Sequence, residues 1–255
     1  VCGLTGDLVN METLYIFKEF FNKTLGSYNI ESRNDHTYLN PEKRENYLFN
    51  STINGIEKAD FIFIVGSNPR YEATILNARI RKAYLQNKTK IISFNDVGDL
   101  TYPYECLNGD IENIKKITED NHEISSLIKN AINPLIIFGK SSLNSKSAKY
   151  IFESIKSFLK KNGKISEEWN SLNVISENAS TVGSFDLGLY KTEDGSNEVL
   201  KDLENHKFEI VYLLGVDNLK FEKKNEFIIY QGSHGDRGAE IADIILPGAA
   251  YTEQN

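Results

Sequence analysis

Short apolar runs alternate with longer stretches of helical period along this chain. Phe61–Val65 is an unbroken apolar run of strand length, closed by Gly66-Ser67-Asn68-Pro69. A run without polar alternation fits a strand buried on both faces, as in a parallel sheet covered by helices. Gly66 allows a tight exit, Asn68 suits a helix N-cap and Pro69 the first helical turn. A helix is predicted to about Lys82, with Leu76, Ile80 and Ala83/Tyr84 on one face. Further strands are predicted at Lys90–Phe94, Leu135–Phe138, Leu172–Ile175, Glu209–Leu214, Phe227–Tyr230 and Ile241–Leu246. Helices are predicted over 4–25, 52–58, 110–116, 123–133, 147–161 and 197–203, with polar, turn-rich chain at 26–50 and a long loop at 179–197.

Strands alternating with helices imply an α/β fold with a mostly parallel sheet. Phe61-Ile-Phe-Ile-Val-Gly-Ser-Asn68 is echoed by Ile210-Val-Tyr-Leu-Leu-Gly-Val-Asp217. The echo suggests a duplicated lobe, with 1–134 as the first and 135–255 as the second, divided at Pro134.

Composition narrows the function. A chain of 255 residues, 40% hydrophobic, can build one large domain or two smaller cored lobes. Its net charge of −7 argues against a general nucleic-acid binder. No apolar run approaches the roughly 20 residues needed to span a bilayer, so membrane association is expected only through partners. Cys2 and Cys106 are the 2 cysteines. With no Cys-x-x-Cys, neither a zinc site nor an iron–sulfur cluster is expected from this chain alone, and reduced thiols are favoured over a disulfide. The start at Val1 reads as an excised piece of a longer protein.

Few motifs carry chemistry. Gly139-Lys140-Ser141 follows a strand, but a nucleotide P-loop needs glycine where Pro134 stands. Gly66–Pro69 could cradle an anion or simply turn the chain. Arg70, Arg79, Arg81, Lys82, Lys88 and Lys90 face only Glu72 within 69–90, which reads either as a solvated face or as a surface for an acidic partner. His234 and Asp236 in Gly232–Gly238 could serve acid–base work, though no nucleophile elbow accompanies them. His36, His122 and His206 lack partners at metal-ligand spacing. No catalytic or metal-binding residue is expected.

The segment Gly235-Asp-Arg-Gly-Ala-Glu-Ile-Ala-Asp-Ile-Ile-Leu-Pro-Gly-Ala-Ala-Tyr-Thr-Glu253 resembles the signature of the molybdopterin oxidoreductases. With Val65–Ala73, Leu76–Lys82, Asn46–Asn50 and Asp99–Tyr102, it is similar to the large iron–sulfur subunits (75-kDa or G) of respiratory complex I. The resemblance covers nearly the whole chain and is weakest at 140–205. It implies duplicated Rossmann-like lobes in a three-layer α/β/α architecture, and iron–sulfur clusters in a separate N-terminal part. It further implies a scaffold role without pterin, beside other peripheral-arm subunits. The expected location is the cytoplasmic face of a bacterial inner membrane or the mitochondrial matrix side. By the same resemblance, Gly66, Ser67, Asn68, Gly215 and Asp217 mark the turns where active relatives hold cofactor nucleotides, here expected to be vestigial. Arg70 and Tyr71 are expected to crowd the first turn. The alternative is a domain of a molybdenum or tungsten enzyme such as a formate dehydrogenase.

Overall fold

The computed structural model describes residues 1–253. The chain begins with β1 (Cys2–Thr5), α1 (Met11–Glu19) running into a π turn at Phe20–Leu25, and β2 (Ile30–Glu31). Then follow β3 (Phe61–Val65), α2 (Pro69–Glu72), α3 (Thr74–Asn87), β4 (Lys90–Ser93), β5 (Glu105–Cys106), α4 (Ile111–Thr118), α5 (Glu123–Asn130), β6 (Pro134–Phe138), α6 (Lys140–Leu143), α7 (Ala148–Lys161) and β7 (Leu172–Val174). The last part holds α8 (Thr181–Asp186), α9 (Glu198–Glu204), β8 (Ile210–Leu214), β9 (Phe227–Gly232), α10 (Arg237–Glu240) and β10 (Ile244–Pro247).

Two compact units result: Tyr38–Glu177, and a discontinuous one from Val1–Thr37 with the chain from Asn178 onward. The expected division at Pro134 is therefore corrected. Pro134 opens β6, which pairs with β3 along its full length, from Phe61↔Pro134 to Val65↔Phe138. A cut there would split a sheet.

Each unit holds one five-stranded, wholly parallel sheet. In the Tyr38–Glu177 unit the order is β5-β4-β3-β6-β7. Phe61, Phe63 and Val65 face a core with Ile114, Ile128, Ile151 and Ile155 from α4, α5 and α7. Ile62 and Ile64 face the opposite core, with Ile80 of α3. Both faces are covered, which is why the run shows no alternation. Trp169, the single tryptophan, packs against this second core and its indole N–H donates to Pro134 O at 2.8 Å.

In the discontinuous unit the order is β10-β9-β8-β1-β2. Leu4, Val211, Leu213 and Ile228 pack under α9 on one face. Leu14, Phe17 and Phe21 of the α1 region cover the other, against Tyr212 and Leu214. Residues 4–25, expected as one helix, thus include the end of an interior strand. Val1-Cys-Gly-Leu-Thr5 is too short, and too interrupted by Gly3, to signal itself. Gly3 is needed there because a Cβ would lie 2.7 Å from the Phe17 and Phe21 rings.

The echoed segments β3 and β8 are the middle strands of their sheets, and both exit through a left-handed glycine, Gly66 at φ 66° and Gly215 at φ 63°. The helix expected from Pro69 to about Lys82 is broken at Ala73, whose φ of −152° interrupts α2 and α3.

Candidate functional site

Parallel sheets bind ligands beyond the carboxyl ends of their strands, where strand order reverses. Here those points lie between β3 and β6 in one sheet and between β1 and β8 in the other. The sequence-marked turns at Gly66 and Gly215 sit at these two places, yet they differ.

The Gly66 turn is closed by its own unit. Ser142 of α6 lies against Gly66, where a Cβ would come within 2.3 Å of the Ser142 nitrogen. A Cβ on Gly139 would meet that of Ser67 at the same 2.3 Å. Ser142 Oγ donates to Val65 O at 2.8 Å, and the Ser141 N–H to Gly66 O at 3.1 Å. The anion position is also filled from within. Glu72 accepts from the Asn68 N–H at 2.6 Å and from Ser67 Oγ at 2.9 Å. Asn68 caps α2 through the Arg70 N–H at 3.1 Å and donates to Val97 O at 2.6 Å. Ser67 is buried. Crowding by Tyr71 is not what closes the turn, since Tyr71 is 79% exposed and Arg70 reaches away to Asp99 at 2.6 Å. The basic surplus around α3 is also reduced: Arg79 and Lys82 share Glu57, and Lys90 meets Glu105 at 3.2 Å. The two partners of Glu57 hold its carboxyl below the usual range, the hydrogen bond from Lys82 contributing most. Lys140 of the Gly-Lys-Ser triplet pairs with Glu177 at 3.2 Å.

The Gly215 turn borders a cavity of about 480 Å³ in the discontinuous unit. Gly6, Gly215, Gly232 and Gly248, at the ends of β1, β8, β9 and β10, form its floor. Their backbones are zipped: the Gly6 N–H donates to Leu214 O at 2.8 Å, Gly215 to Gln231 O at 2.7 Å and Gly248 to Gly232 O at 2.8 Å. A Cβ on Gly6 would fall 1.7 Å from Gly215 O, so only glycine lets these strand ends approach. The start of α1 faces the cavity, with Asn10 capping the Thr13 N–H at 2.9 Å.

Polar groups line the rest. Tyr230, buried beneath the floor, places its hydroxyl 2.5 Å from Asp217 Oδ1 and 2.7 Å from His234 O. Burial, then the hydrogen bond to Asp217, push that hydroxyl well above its ordinary pKa. The pair fixes Asp217 at the cavity edge. Tyr212 donates to Gln231 Oε1 at 2.7 Å. Asn34 donates to Thr5 O at 3.2 Å and leaves its own Oδ1 buried without a partner. The ionisable lining groups are Asp7, Asp217 and His234, and among the described residues no lysine or arginine lines the cavity. The site can hold a polar, hydrogen-bonding, neutral or cationic group, and lacks the cations that neutralise phosphates. His234 Nδ1 contacts Ser233 Oγ at 2.9 Å rather than Asp236, on an exposed loop with no oriented base–nucleophile relay. The sequence did not single out Asp7, Asn10, Asn34 or Gln231, because strand order alone brings them together.

Residues 1–255 match the family model described as molybdopterin oxidoreductase. The chain belongs to the molybdopterin oxidoreductase family. It is 37% identical over 269 residues to the NADH-ubiquinone oxidoreductase 75 kDa subunit of Reclinomonas americana, covering 100% of this chain and 38% of the relative. It is 36% identical over 256 residues to the mitochondrial NADH dehydrogenase [ubiquinone] iron-sulfur protein 1 of Solanum tuberosum, covering 100% of this chain and 34% of the relative. It is 39% identical over 260 residues to the mitochondrial NADH-ubiquinone oxidoreductase 78 kDa subunit of Neurospora crassa, covering 99% of this chain and 34% of the relative. The chain thus spans little more than a third of the length of these relatives.

A pterin dinucleotide and its metal can be tested against these residues. At the Gly66 turn the Glu72 carboxylate already holds the Asn68 amide and the Ser67 hydroxyl, and its charge opposes a phosphate there. The cavity at Gly215 is lined by the carboxylates of Asp7 and Asp217, whose charge opposes that of a pyrophosphate, while the start of α1 also faces it. Cys2 is buried in β1, its thiol pushed up to about 12 by burial, and Cys106 lies in β5 at the far edge of the other sheet. Neither lines the cavity. No group of three or more His, Cys, Asp or Glu side chains converges among the described residues. Among the described residues the cavity is lined by no cysteine and by no cluster of metal ligands.

Proposed function

We propose that this chain is the molybdopterin-like domain of a large iron–sulfur subunit of NADH:quinone oxidoreductase, acting as a scaffold in the electron path from NADH to quinone. The carrying observation is the 36–39% identity over essentially the whole chain to subunits of that complex. The Glu72 carboxylate filling the Gly66 turn and, among the described residues, the lack of cations lining the Gly215 cavity support a role without pterin. The redox centres then belong to another part of the subunit, and the partners are other subunits of the peripheral arm. No described helix is long and apolar enough to cross a membrane, in keeping with attachment through those partners. We place the domain on the matrix side in a mitochondrion, or the cytoplasmic face in a bacterium.

The open cavity at Gly215 is the observation that favours the second reading, a molybdenum or tungsten pterin oxidoreductase. Purification of the complete polypeptide from its native membranes, followed by metal analysis, separates the two. Iron without molybdenum or tungsten, co-purifying with NADH:quinone activity, is the expected result. Molybdenum or tungsten in stoichiometric amount would overturn the scaffold reading.

A further inference from the structure

Helix α3 carries a second patterned face, turned away from its sheet. Asn77, Ile80 and Ala83 are buried, and Leu76 and Tyr84 pack against the core that Ile80 joins. On the opposite side Ile75 is 69% and Leu85 54% exposed, with Ala78 and Lys82 exposed between them. These four fall at i, i+3, i+7 and i+10, the spacing of a seam between two helices. Single exposed apolar side chains are ordinary on a surface, but a line of them along one helix is the pattern of a contact.

The flanks of this line are basic. Helical spacing puts Arg81 and Lys88 along one side of it and Arg79 along the other. α3 itself contains no Asp or Glu. Helices that face only water are commonly laced with opposite charges one turn apart, and α3 has none of these pairs. Glu57 serves both Arg79 and Lys82, so one carboxylate answers two cations. Arg81 and Lys88 are exposed and make no ion pair among the described residues, Lys88 lying over the Tyr84 ring at 5.8 Å.

We propose that the outer face of α3 is a docking surface, and that its occupant is an amphipathic helix of a partner protein with carboxylates flanking its own apolar stripe. Charge selects this occupant. Side chains beside a seam meet their counterparts on the facing helix and decide which helices pair. A second copy of α3 would set Arg79, Arg81 and Lys88 against their own kind, which opposes self-pairing. Carboxylates on the facing helix instead meet the unneutralised Arg81 and Lys88, while Ile75, Ala78 and Leu85 take up its apolar side chains. A phosphate backbone would use the cations but leave the aliphatic line between them bare. The surface stands apart from the scaffold reading, since its chemistry is the same whether or not the partner belongs to a respiratory complex.

The test uses the complete polypeptide assembled with its native partners, with p-benzoylphenylalanine in place of the exposed Ile75. Irradiation is expected to give a crosslink to a different polypeptide, mapping to a helical segment with Asp or Glu beside an apolar stripe. Arg81→Glu with Lys88→Glu is expected to lower the crosslink yield roughly 10-fold. The charge-preserving pair Arg81→Lys with Lys88→Arg is expected to keep the yield, as is Lys149→Glu on the exposed side of α7. A crosslink to a second copy, within one polypeptide, to nucleic acid or to lipid alone overturns the proposal, as does the absence of any crosslink. A crosslinked segment without carboxylates, or a yield unchanged by the double charge reversal, overturns it too. The metal content of the same preparation tests the scaffold reading separately, so either can fail while the other stands.

Discussion

Replacing Gly66 by alanine measures how tightly the crevice between β3 and β6 is shut. Gly66 has φ 66°, a conformation that costs an L-residue about 1–2 kcal/mol. Part of that is offset by the roughly 0.4–1 kcal/mol gained from a less flexible unfolded chain. The decisive term is steric: the new methyl would lie 2.3 Å from the Ser142 nitrogen and 2.4 Å from its Cβ. Backbone on both sides must move, as in an overpacked core, at about 1–3 kcal/mol more. Gly163→Ala is the control. It has φ 67° in the same unit, with nothing within 4 Å of the methyl that alanine would add. The expected losses are about 2–4 kcal/mol for Gly66→Ala and about 0.5–1 kcal/mol for Gly163→Ala. Urea unfolding followed by Trp169 fluorescence reports this unit alone, since Trp169 is the single tryptophan of the chain. With a denaturant slope of about 2 kcal/mol per molar, the two midpoints should differ by about 1 M. Midpoints within about 0.3 M of each other, at equal slope, would refute the idea that packing rather than sequence-local turn geometry closes this crevice.

In the other unit, the buried Arg33 guanidinium grips Glu31 at 2.9 and 2.7 Å and also donates to Thr37 O and Gly195 O, each at 2.9 Å. Arg33→Met should cost about 3–5 kcal/mol by stranding Glu31, and Glu31→Met with Arg33→Met should recover part of it, as read from circular-dichroism melts. Native protein at pH 8 should show one rapidly labelled thiol, Cys106, with Cys2 reacting only after denaturation; equal native rates would contradict the burial of Cys2. Because burial raises the Cys2 thiol from 9.0 to about 12, the folded state keeps a proton that the unfolded state loses. Stability should therefore be intact below pH 9 and fall as pH rises from 9 toward 12, and Cys2→Ser should flatten that slope in unfolding titrations. Guanosine diphosphate should show no saturable heat in calorimetry below about 1 mM, since Asp7 and Asp217 oppose its phosphates; tighter binding would reopen the cofactor reading.

The sequence by itself determined the strands of β3, β6 and β8, because an apolar run of five residues closed by glycine is a local signal. It also marked the Gly66 and Gly215 turns, the second through the family resemblance, while their place at the reversals of strand order came only from the fold. The resemblance carried by Gly235–Glu253 identified the family. Tertiary structure decided the rest. The division into units depends on β1 pairing with β8 across more than two hundred residues, and no local pattern encodes such a pairing. The fate of each turn was likewise non-local. Ser142 closes one from the far side of a β-strand, while β1, β8, β9 and β10 leave a cavity at the other. Two turns that share a left-handed glycine thus became one sealed joint and one open site, because what fills a crevice is set by the neighbouring strands that packing brings to it.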